Sequence, residues 1–319
     1  MPAKKIIAVV GATGAQGGGL VRAIQADKSG SFAARAITRN PGSEKAQALK
    51  AAGVEVVAGD ADKPDTLVPA FQGAYGAFLV TNFWEHFSAP RELTQAQNLA
   101  RASKAAGLQH VIWSTLEDTR KWVPLDDDRM PTLHGNYKVP HFDGKGEADA
   151  TFRELGVPTT FLLTAFYWEN LIYFGMGPQR GPDGTLAITM PMDDKKLPSI
   201  AVEDIGKSAL GIFKRGPELI NQTVGIAGEH LTGAEMARGL TRALGQEVRY
   251  NNVPPEVFRS FGFPGADDLG NMFQFNRDFD QYFRGARDLG FTRSLNPELQ
   301  TFDQWLVKHK DQIPLPAEV

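Results

Sequence analysis

The sequence predicts an α/β protein built on a doubly wound parallel sheet, with a smaller, mostly helical C-terminal lobe. Three features support this prediction. Short apolar runs rich in β-branched residues alternate with helical patterns up to Leu163, and such alternation is typical of parallel sheets with right-handed crossovers. The first run, Lys4–Val10, passes directly into a glycine-rich turn and then into a helical pattern. Beyond Thr164 the alternation stops, and a passage rich in glycine and proline indicates that the chain leaves the sheet.

The glycine-rich turn predicts a site for a dinucleotide diphosphate. Gly11 permits a tight turn, Gly14 lets the backbone approach the diphosphate, and Gly17 lets the helix pack closely on the strand. The free N–H groups and the dipole of the helix then face the negative charge. The spacing is G-x-x-G-x-x-G rather than the commoner G-x-G-x-x-G, but its place after a buried-type strand favours a nucleotide site over an ordinary turn. We expect Gly18 and Gly19 to allow close helix packing.

The other elements follow from apolar periodicity and from turn residues at their ends. We assign residues 1–164, completed by about 196–227, to the sheet domain, and residues 165–195 and 228–319 to the smaller lobe. Later strands are predicted at 33–38, 54–58, 75–80, 109–113, 159–163, 197–202 and 223–226. Helices are predicted at 43–52, 64–71, 91–106, 141–155, 205–214, 234–245, 254–262, 267–279 and 302–309.

The end of the second predicted strand indicates the kind of dinucleotide. An NAD site places a carboxylate there, roughly 20 residues after the glycines, on the ribose 2′-hydroxyl. This sequence has Arg39 and no carboxylate, and a guanidinium pairs well with a 2′-phosphate. The sequence therefore predicts NADP(H), the alternative being a solvated arginine at a strand end. Asp60, in a short turn after the third strand, is expected along the adenine.

The fourth predicted strand supplies further candidates, because the carboxyl ends of the strands line the ligand crevice of a doubly wound sheet. It ends at Thr81 and Asn82, which we expect beside the diphosphate or the nicotinamide ribose. Phe83 and Trp84 come next. They either wall the pocket or pack the loop, and both alternatives stay open.

The pattern of the short-chain dehydrogenases identifies candidate catalytic residues. Those enzymes use a serine after the fifth strand and a Y-x-x-x-K pair on the next helix, whose four-residue spacing puts both side chains on one face. Here Ser114 stands in the serine place and Lys145 in the lysine place, but His141 occupies the tyrosine place. Tyr137 is the nearest phenol, and Pro140 separates it from the helix. His141 is either an acid or base or a helix cap, and Lys145 either holds the ribose or is a solvated lysine.

The segment between these places, residues 116–140, lacks a regular apolar pattern and contains three consecutive aspartates at 126–128. A loop of this length is usually a lid, a binding loop or an insertion. Since it has no core pattern of its own, we expect a bound cofactor to order it.

Composition excludes several classes of function. The chain has 319 residues, a net charge of −3 and no cysteine, so we expect no direct nucleic-acid partner, no disulfide framework and no thiol chemistry. Its six histidines lack metal-ligand spacing, and we assign no metal. The longest apolar run, 161–168, is too short to span a bilayer, and the first strand follows too closely for a signal peptide. We expect a cytoplasmic protein without a membrane partner, and nuclear entry stays open.

Several segments resemble the NmrA-like family, an atypical branch of the short-chain dehydrogenases, and are most similar to its HSCARG-type NADPH-sensor branch. The resemblance implies NADP(H) binding in a Rossmann domain, a smaller C-terminal domain that forms a cleft with it, and a loss of dehydrogenase activity. The segments are Gly11–Gly17, Thr38–Pro41, Val80–Asn82, His141–Glu147, Glu169–Leu171, Gly262–Gly265 and Asp303–Leu306.

The resemblance also implies roles for individual residues. By the family's pattern, the residues that would touch the cofactor are Thr13, Gln16, Arg39, Asn82 and Lys145. Together with the candidates from the strand ends, the predicted cofactor-binding set is Gly11, Thr13, Gly14, Gln16, Gly17, Arg39, Asp60, Thr81, Asn82, Lys145 and Phe166.

Two functions fit these observations. The first is a regulatory protein in which the state of bound NADP(H) shifts a conformation that a protein partner reads, and the missing tyrosine favours it. The second is an NADPH-dependent reductase of quinone-like or carbonyl compounds. A flat ligand of that kind suits a pocket lined by aromatic rings, and a homodimer is compatible with both functions. The predicted aromatic lining consists of Phe83, Trp84, Phe166, Tyr167 and Trp168.

Overall fold

A computed structural model describes residues 3–181 and 183–317. Within these ranges no helix is both long enough and apolar enough to cross a membrane. The strands are β1 (Lys5–Val10), β2 (Phe32–Thr38), β3 (Glu55–Ala58), β4 (Gly76–Leu79), β5 (His110–Thr115), β6 (Thr159–Leu163), β7 (Phe166–Tyr167), β8 (Gln179–Arg180), β9 (Leu186–Met190), β10 (Leu197–Ile200), β11 (Thr223–Gly225), β12 (Glu229–Leu231) and β13 (Val248–Asn252). The helices are α1 (Ala15–Ala26), α2 (Glu44–Ala51), α3 (Leu67–Phe71), α4 (Ala89–Ala105), α5 (Pro140–Glu154), α6 (Asn170–Tyr173), α7 (Val202–Arg215), α8 (Gly233–Leu244), α9 (Pro255–Arg259), α10 (Ala266–Asp278), α11 (Asp280–Gly285), α12 (Leu289–Leu295) and α13 (Phe302–His309).

Parallel strands form the central sheet in the order β11–β6–β5–β4–β1–β2–β3. The chain begins in the middle at β1, proceeds outward to β3, and returns past β1 to β4 before it continues in the other direction. The strand order therefore reverses between β1 and β4, and a crevice opens at the carboxyl ends of these strands. The predicted doubly wound parallel sheet is confirmed.

Helices cover both faces of the sheet because successive side chains of a strand point to opposite faces. In β1, Ile7 and Val9 pack toward α1 and α7, whereas Ala8 packs toward α3, α4 and α5. The helices α1 and α7 cross closely, since a Cβ atom on Gly206 would lie 2.1 Å from the carbonyl carbon of Gly19. This close approach requires glycine at position 206. A Cβ atom on Gly19 would lie at an ordinary 3.4 Å from the Val202 carbonyl oxygen, so the packing role of Gly19 itself stays a prediction.

The C-terminal lobe contains two small sheets besides its helices, in the strand orders β12–β10–β7 and β13–β9–β8. The prediction of a mostly helical lobe did not include β13. Only Val248 of this strand is buried, and its parallel partner β9 begins far away at Leu186. Neither a local apolar pattern nor strand propensity therefore signals it.

The two lobes share parts of the chain and a buried contact. Leu295 and Leu299 pack with α1 and α7 of the sheet domain, although the predicted boundary places residues 228–319 in the smaller lobe. The fully buried Arg287 donates to both carboxylate oxygens of Glu117, at 2.7 and 3.0 Å, and so joins the smaller lobe to the loop after β5. Packing and this ion pair together fix the lobes to each other.

The segment between Leu116 and α5 is packed into the core of the C-terminal lobe, although its sequence shows no regular apolar pattern. Val123, Met130 and Val139 are buried in the core of the C-terminal lobe. The buried Lys138 donates through Nζ to the carbonyl oxygens of Asp127 and Met130, at 2.6 and 2.7 Å. The segment is therefore a packed insertion, with an irregular pattern because its apolar side chains follow no helix or strand period.

Candidate functional site

A cleft of about 980 Å³ lies at the carboxyl ends of the central strands, between the sheet and the C-terminal lobe. Ser114 is not among the residues that line it, and its buried side chain donates instead to Gln16, which does line the cleft. The sequence-derived candidates that do line the cleft are Gly11, Thr13, Gly14, Gln16, Gly17, Arg39, Asp60, Thr81, Asn82, His141, Lys145 and Phe166.

The glycine loop forms the part of the cleft that follows β1. Gly11 has a φ of 68°, which an L side chain rarely adopts, and the N–H of Gly14 donates to its carbonyl oxygen at 2.8 Å. A Cβ atom on Gly17 would lie only 2.5 Å from that same oxygen. The loop therefore brings the start of α1 against β1. The first turn of α1 carries no acidic side chain, so its unpaired N–H groups face the cleft without competition from a carboxylate.

Arg39 lies at the rim of the cleft, after β2. Its Nη1 atom is 2.7 Å from Glu85 Oε1, and both side chains are about half exposed. An exposed ion pair of this kind contributes little to stability. A more highly charged anion can therefore replace the Glu85 carboxylate on the guanidinium, and we count Glu85 as a cleft residue that the sequence analysis did not identify.

Lys145 points into the cleft from α5 and is held by a buried carboxylate. Its Nζ atom lies 2.6 Å from Glu92 Oε1 and donates to the carbonyl and hydroxyl oxygens of Thr81, at 3.0 and 2.9 Å. The Thr81 hydroxyl donates in turn to Glu92, at 2.7 Å. His86 Nε2 lies 3.5 Å from the second Glu92 oxygen. The ammonium group is thus positioned entirely by the sheet domain.

Glu92 was missed in the sequence analysis, although a signal for it exists. It is fully buried in α4, where Ala89, Ala96 and Leu99 are also fully buried. The spacing of these four positions is that of one helical face, so Glu92 interrupts an otherwise apolar stripe. A carboxylate at such a position needs a buried partner, which here is Lys145.

His141 also lines the cleft, one helical turn before Lys145, and its partner comes from the other lobe. Its Nδ1 atom is 2.6 Å from Asp268 Oδ1, and its backbone N–H donates to Asp268 Oδ2 at 3.1 Å. Asp268 lies in the first turn of α10. The His141 ring also packs against Trp84, with 4.8 Å between centroids. His141 and Asp268 are far apart in the chain, so no local sequence pattern could have paired them.

Neither nearby phenol lies on α5, where the missing tyrosine would stand. Tyr137 is buried against Phe83 and does not line the cleft, and its burial raises the pKa of its hydroxyl. Tyr167 does line the cleft, and burial likewise raises the pKa of its phenol, so the hydroxyl stays protonated at neutral pH. Its hydroxyl accepts a hydrogen bond from Gln16 Nε2 at 2.7 Å, and Gln16 accepts one from Ser114 at 2.8 Å. This chain of bonds occupies the Ser114 hydroxyl.

Apolar side chains form the opposite wall of the cleft. Phe83, Trp84, Phe166 and Tyr167 line it, as the aromatic-lining hypothesis expects. The prediction is wrong for Trp168, whose side chain is fully buried in the C-terminal core and donates to Ser199 at 2.9 Å. The C-terminal lobe contributes further residues to which the sequence analysis gave no site role, among them Phe174, Met176, Phe263, Pro264, Leu269, Met272, Asn276 and Phe283.

The fold and the cleft define a class of protein: a Rossmann-fold protein with a glycine loop at the switch point and a cleft lysine, but with histidine in place of the dehydrogenase tyrosine. Within this class the chain belongs to the NmrA-like family, whose family model matches residues 3–306. The resemblance to the NmrA-like family inferred from the sequence is thereby confirmed.

Relatives in this family carry different names. The chain is 31% identical over 296 residues to the NmrA-like family domain-containing oxidoreductase FrzB of Cladobotryum sp, covering 85% of this chain and 84% of that protein. It is 30% identical over 276 residues to an NAD(P)H azoreductase of Xenophilus azovorans, covering 84% and 86%. Among solved structures, the negative transcriptional regulator NmrA in complex with NADP is 26% identical, with a TM-score of 0.76 and coverage of 95% and 94%.

Proposed function

We propose that the cleft binds NADP(H). The observation that supports this most directly is that the glycine loop, Arg39 and Lys145 all border one continuous cleft at the switch point of the sheet. The N–H groups at the start of α1 would hold the diphosphate, Arg39 the 2′-phosphate, and Lys145 the nicotinamide ribose. The related regulator NmrA has been solved with NADP in its structure, which agrees with this assignment.

We further propose that the protein is an NADPH-dependent reductase of flat aromatic acceptors of the quinone type. The supporting observation is the apolar wall of the cleft, since aromatic and methionine side chains continue from the lysine toward the C-terminal lobe. NADPH supplies a hydride when it is bound. The relatives FrzB and the azoreductase bear the names of oxidoreductases, and this agrees with the proposal.

The absence of a positioned phenol is compatible with this chemistry. A quinone that accepts a hydride becomes a hydroquinone anion, whose charge is delocalised over the ring and oxygen atoms. This anion is weakly basic and takes its proton from water, so the reaction needs no tyrosine acid. The protein's task would be to hold the acceptor flat against the dinucleotide, which is a matter of positioning.

A second candidate function is the cofactor sensor that the sequence analysis placed first. His141 in the tyrosine place favours it, and so does the way His141 contacts Asp268 of the other lobe, because a change at the cleft could then alter the position of α10. The similarity to the regulator NmrA agrees with this alternative. Its partner would be a protein that distinguishes the positions of α10 with and without the bound cofactor.

A single-turnover experiment separates the two candidates. Protein loaded with one equivalent of NADPH is mixed with quinones, azo dyes and aldehydes, and the loss of reduced-nicotinamide absorbance is followed. The reductase proposal expects rapid oxidation by quinones and slow oxidation by aldehydes, which need an acid. The variant Lys145→Met serves as the control that should bind NADPH weakly. If NADPH stays bound and unoxidised with every acceptor, the reductase proposal fails and the sensor remains.

A further inference from the structure

Helix α10 presents one face to the cleft and another to the insertion before α5. Leu269, Met272 and Asn276 are spaced three and four residues apart, so they form one stripe, and all three line the cleft. Asn271 and Gln274 project from the other face. The polar residue within the cleft stripe, Asn276, is the one that the mechanism above does not use.

The amides on the two faces differ in their hydrogen bonds. Asn271 Nδ2 donates to the carbonyl oxygens of Pro131 and Lys138, at 2.9 and 2.6 Å, and its Oδ1 accepts from Arg259 at 3.1 Å. Gln274 Nε2 donates to the carbonyl oxygen of Arg129 at 2.7 Å. These two amides anchor the insertion, and their hydrogen bonds explain why they are polar.

The Asn276 side chain, by contrast, has no hydrogen-bond partner in the part of the chain that the structure describes. The residue is 2% exposed, and its Oδ1 atom is buried without a partner. Exchanging the assigned positions of the amide oxygen and nitrogen would not change this, because neither atom is bonded. A buried amide oxygen without a donor is unfavourable for the folded protein, so its presence in a cleft wall calls for a ligand.

We propose that Asn276 is the polar contact for the acceptor and that the acceptor class is flat aromatic compounds carrying a ring oxygen. This inference rests on the proposed reductase function and specifies its substrate. The neighbours on the same wall, Leu269, Met272 and Phe283, are apolar, so they accept the ring but do not orient it. The amide would donate to a carbonyl oxygen, or accept from a hydroxyl group once the ring is reduced. It would therefore select oxygenated rings over hydrocarbon rings.

The test compares two probes and two variants in a binding measurement without turnover. The protein is saturated with NADP⁺, which cannot donate a hydride, and titrated with 1,4-naphthoquinone or with naphthalene. We expect wild type to bind the quinone more tightly than the hydrocarbon. Asn276→Leu, of similar volume, should weaken quinone binding about 3- to 10-fold, as loss of one hydrogen bond does, and leave naphthalene binding unchanged or improved. Met272→Leu, one turn earlier on the same stripe, should leave the ratio of the two affinities unchanged.

A stability measurement separates a binding role from a structural one. Since Asn276 lacks partners, Asn276→Leu should raise the thermal midpoint of the cofactor-free protein. If the variant is less stable than wild type, the amide has a structural role, such as holding an ordered water, and the inference is overturned. The inference also fails if the quinone preference persists in Asn276→Leu, or if wild type binds neither probe.

These failures are distinct from failure of the proposed function. Equal quinone turnover by wild type and Asn276→Leu, with equal KM values, would keep the reductase and reject the role of Asn276. An Asn276-dependent preference for naphthoquinone in a protein that never oxidises NADPH would reject the reductase and keep the oxygen-recognising subsite.

Discussion

The two ends of the cleft face of α5 are fastened to different parts of the molecule. Lys145 is held by Thr81 and Glu92, both of which belong to the sheet domain. His141, one turn earlier, is held by Asp268 of the C-terminal lobe. The cofactor side of the cleft is therefore determined within one domain, whereas the acceptor side depends on how the second lobe is placed. Substitutions at the two ends should accordingly affect different properties.

The largest expected effect is that of Glu92→Leu. The Lys145 ammonium group would remain mostly buried without its carboxylate, and breaking a buried pair in this way costs about 3–5 kcal/mol of unfolding free energy. NADP(H) affinity should fall as well, because Lys145 loses its position. Denaturant unfolding measures the first effect, and a titration with NADPH measures the second.

The double variant Glu92→Leu with Lys145→Met sharpens this result. It removes both charges, so it should regain most of the lost unfolding free energy. Its NADPH affinity should stay low, because the group that we propose to hold the ribose is gone. A double variant that regains both properties would show that Lys145 is structural and does not contact the cofactor.

At the other end, Asp268→Asn should cost about 1–3 kcal/mol of unfolding free energy, since the charged contacts to the His141 ring and backbone become neutral ones. The distinguishing expectation is that NADPH affinity changes little while KM for a quinone acceptor rises. Comparable losses of NADPH affinity in Asp268→Asn and Glu92→Leu would contradict the division between the two ends of α5.

A smaller effect on cofactor affinity is expected from substitutions of Arg39, at the rim of the cleft. Arg39→Ala should reduce the preference for NADPH over NADH by about 1–2 kcal/mol, because the contact is exposed and screened. The matched variant Glu85→Gln frees the guanidinium and should strengthen NADPH binding. Parallel titrations with NADPH and NADH measure both, and unfolding free energy should stay nearly constant. Equal affinities of wild type for the two dinucleotides would remove the role of Arg39.

The sheet domain could be predicted from sequence because its signals are local. Each parallel strand is a short apolar run, and the rule that strand ends line the crevice brings Gly11, Arg39 and Thr81 together without any knowledge of distances. The C-terminal lobe obeys no such rule. Its strand β13 pairs with the distant β9 and has a single buried residue, so this strand was not predicted.

The candidate site divides in the same way. Glu92 could have been found, since it breaks the apolar face of α4, but Asp268 and Asn276 could not. The roles of Asp268 and Asn276 depend on the residues that face them from the other lobe. A local sequence pattern does not contain that information. Tyr137 and Ser114 illustrate the converse, because their places in the sequence suggested a site but neither residue lines the cleft.

NADPH should have its smallest effect on amide hydrogen exchange in the insertion before α5. The irregular sequence pattern of this segment had instead suggested that the cofactor orders it. The fully buried carboxylate of Asp143 accepts backbone hydrogen bonds from Thr119, Lys138 and Val139, at 2.7, 2.8 and 3.0 Å. Of this segment, Leu116 is the residue that lines the cleft. Exchange of those three amides should therefore be slow before NADPH is added and should change little afterwards.

The glycine loop is the internal comparison for this measurement. Its amides at the start of α1 have no helical partners, so binding of a diphosphate should slow their exchange far more than that of the insertion. Asp143→Asn provides the matched variant, since weaker acceptance by the amide should speed exchange at Lys138 and Val139 whether or not NADPH is present. If NADPH instead protects the insertion strongly in wild type, the segment is coupled to the cofactor, and the acceptor side of the cleft would respond to cofactor binding as the sensor alternative requires.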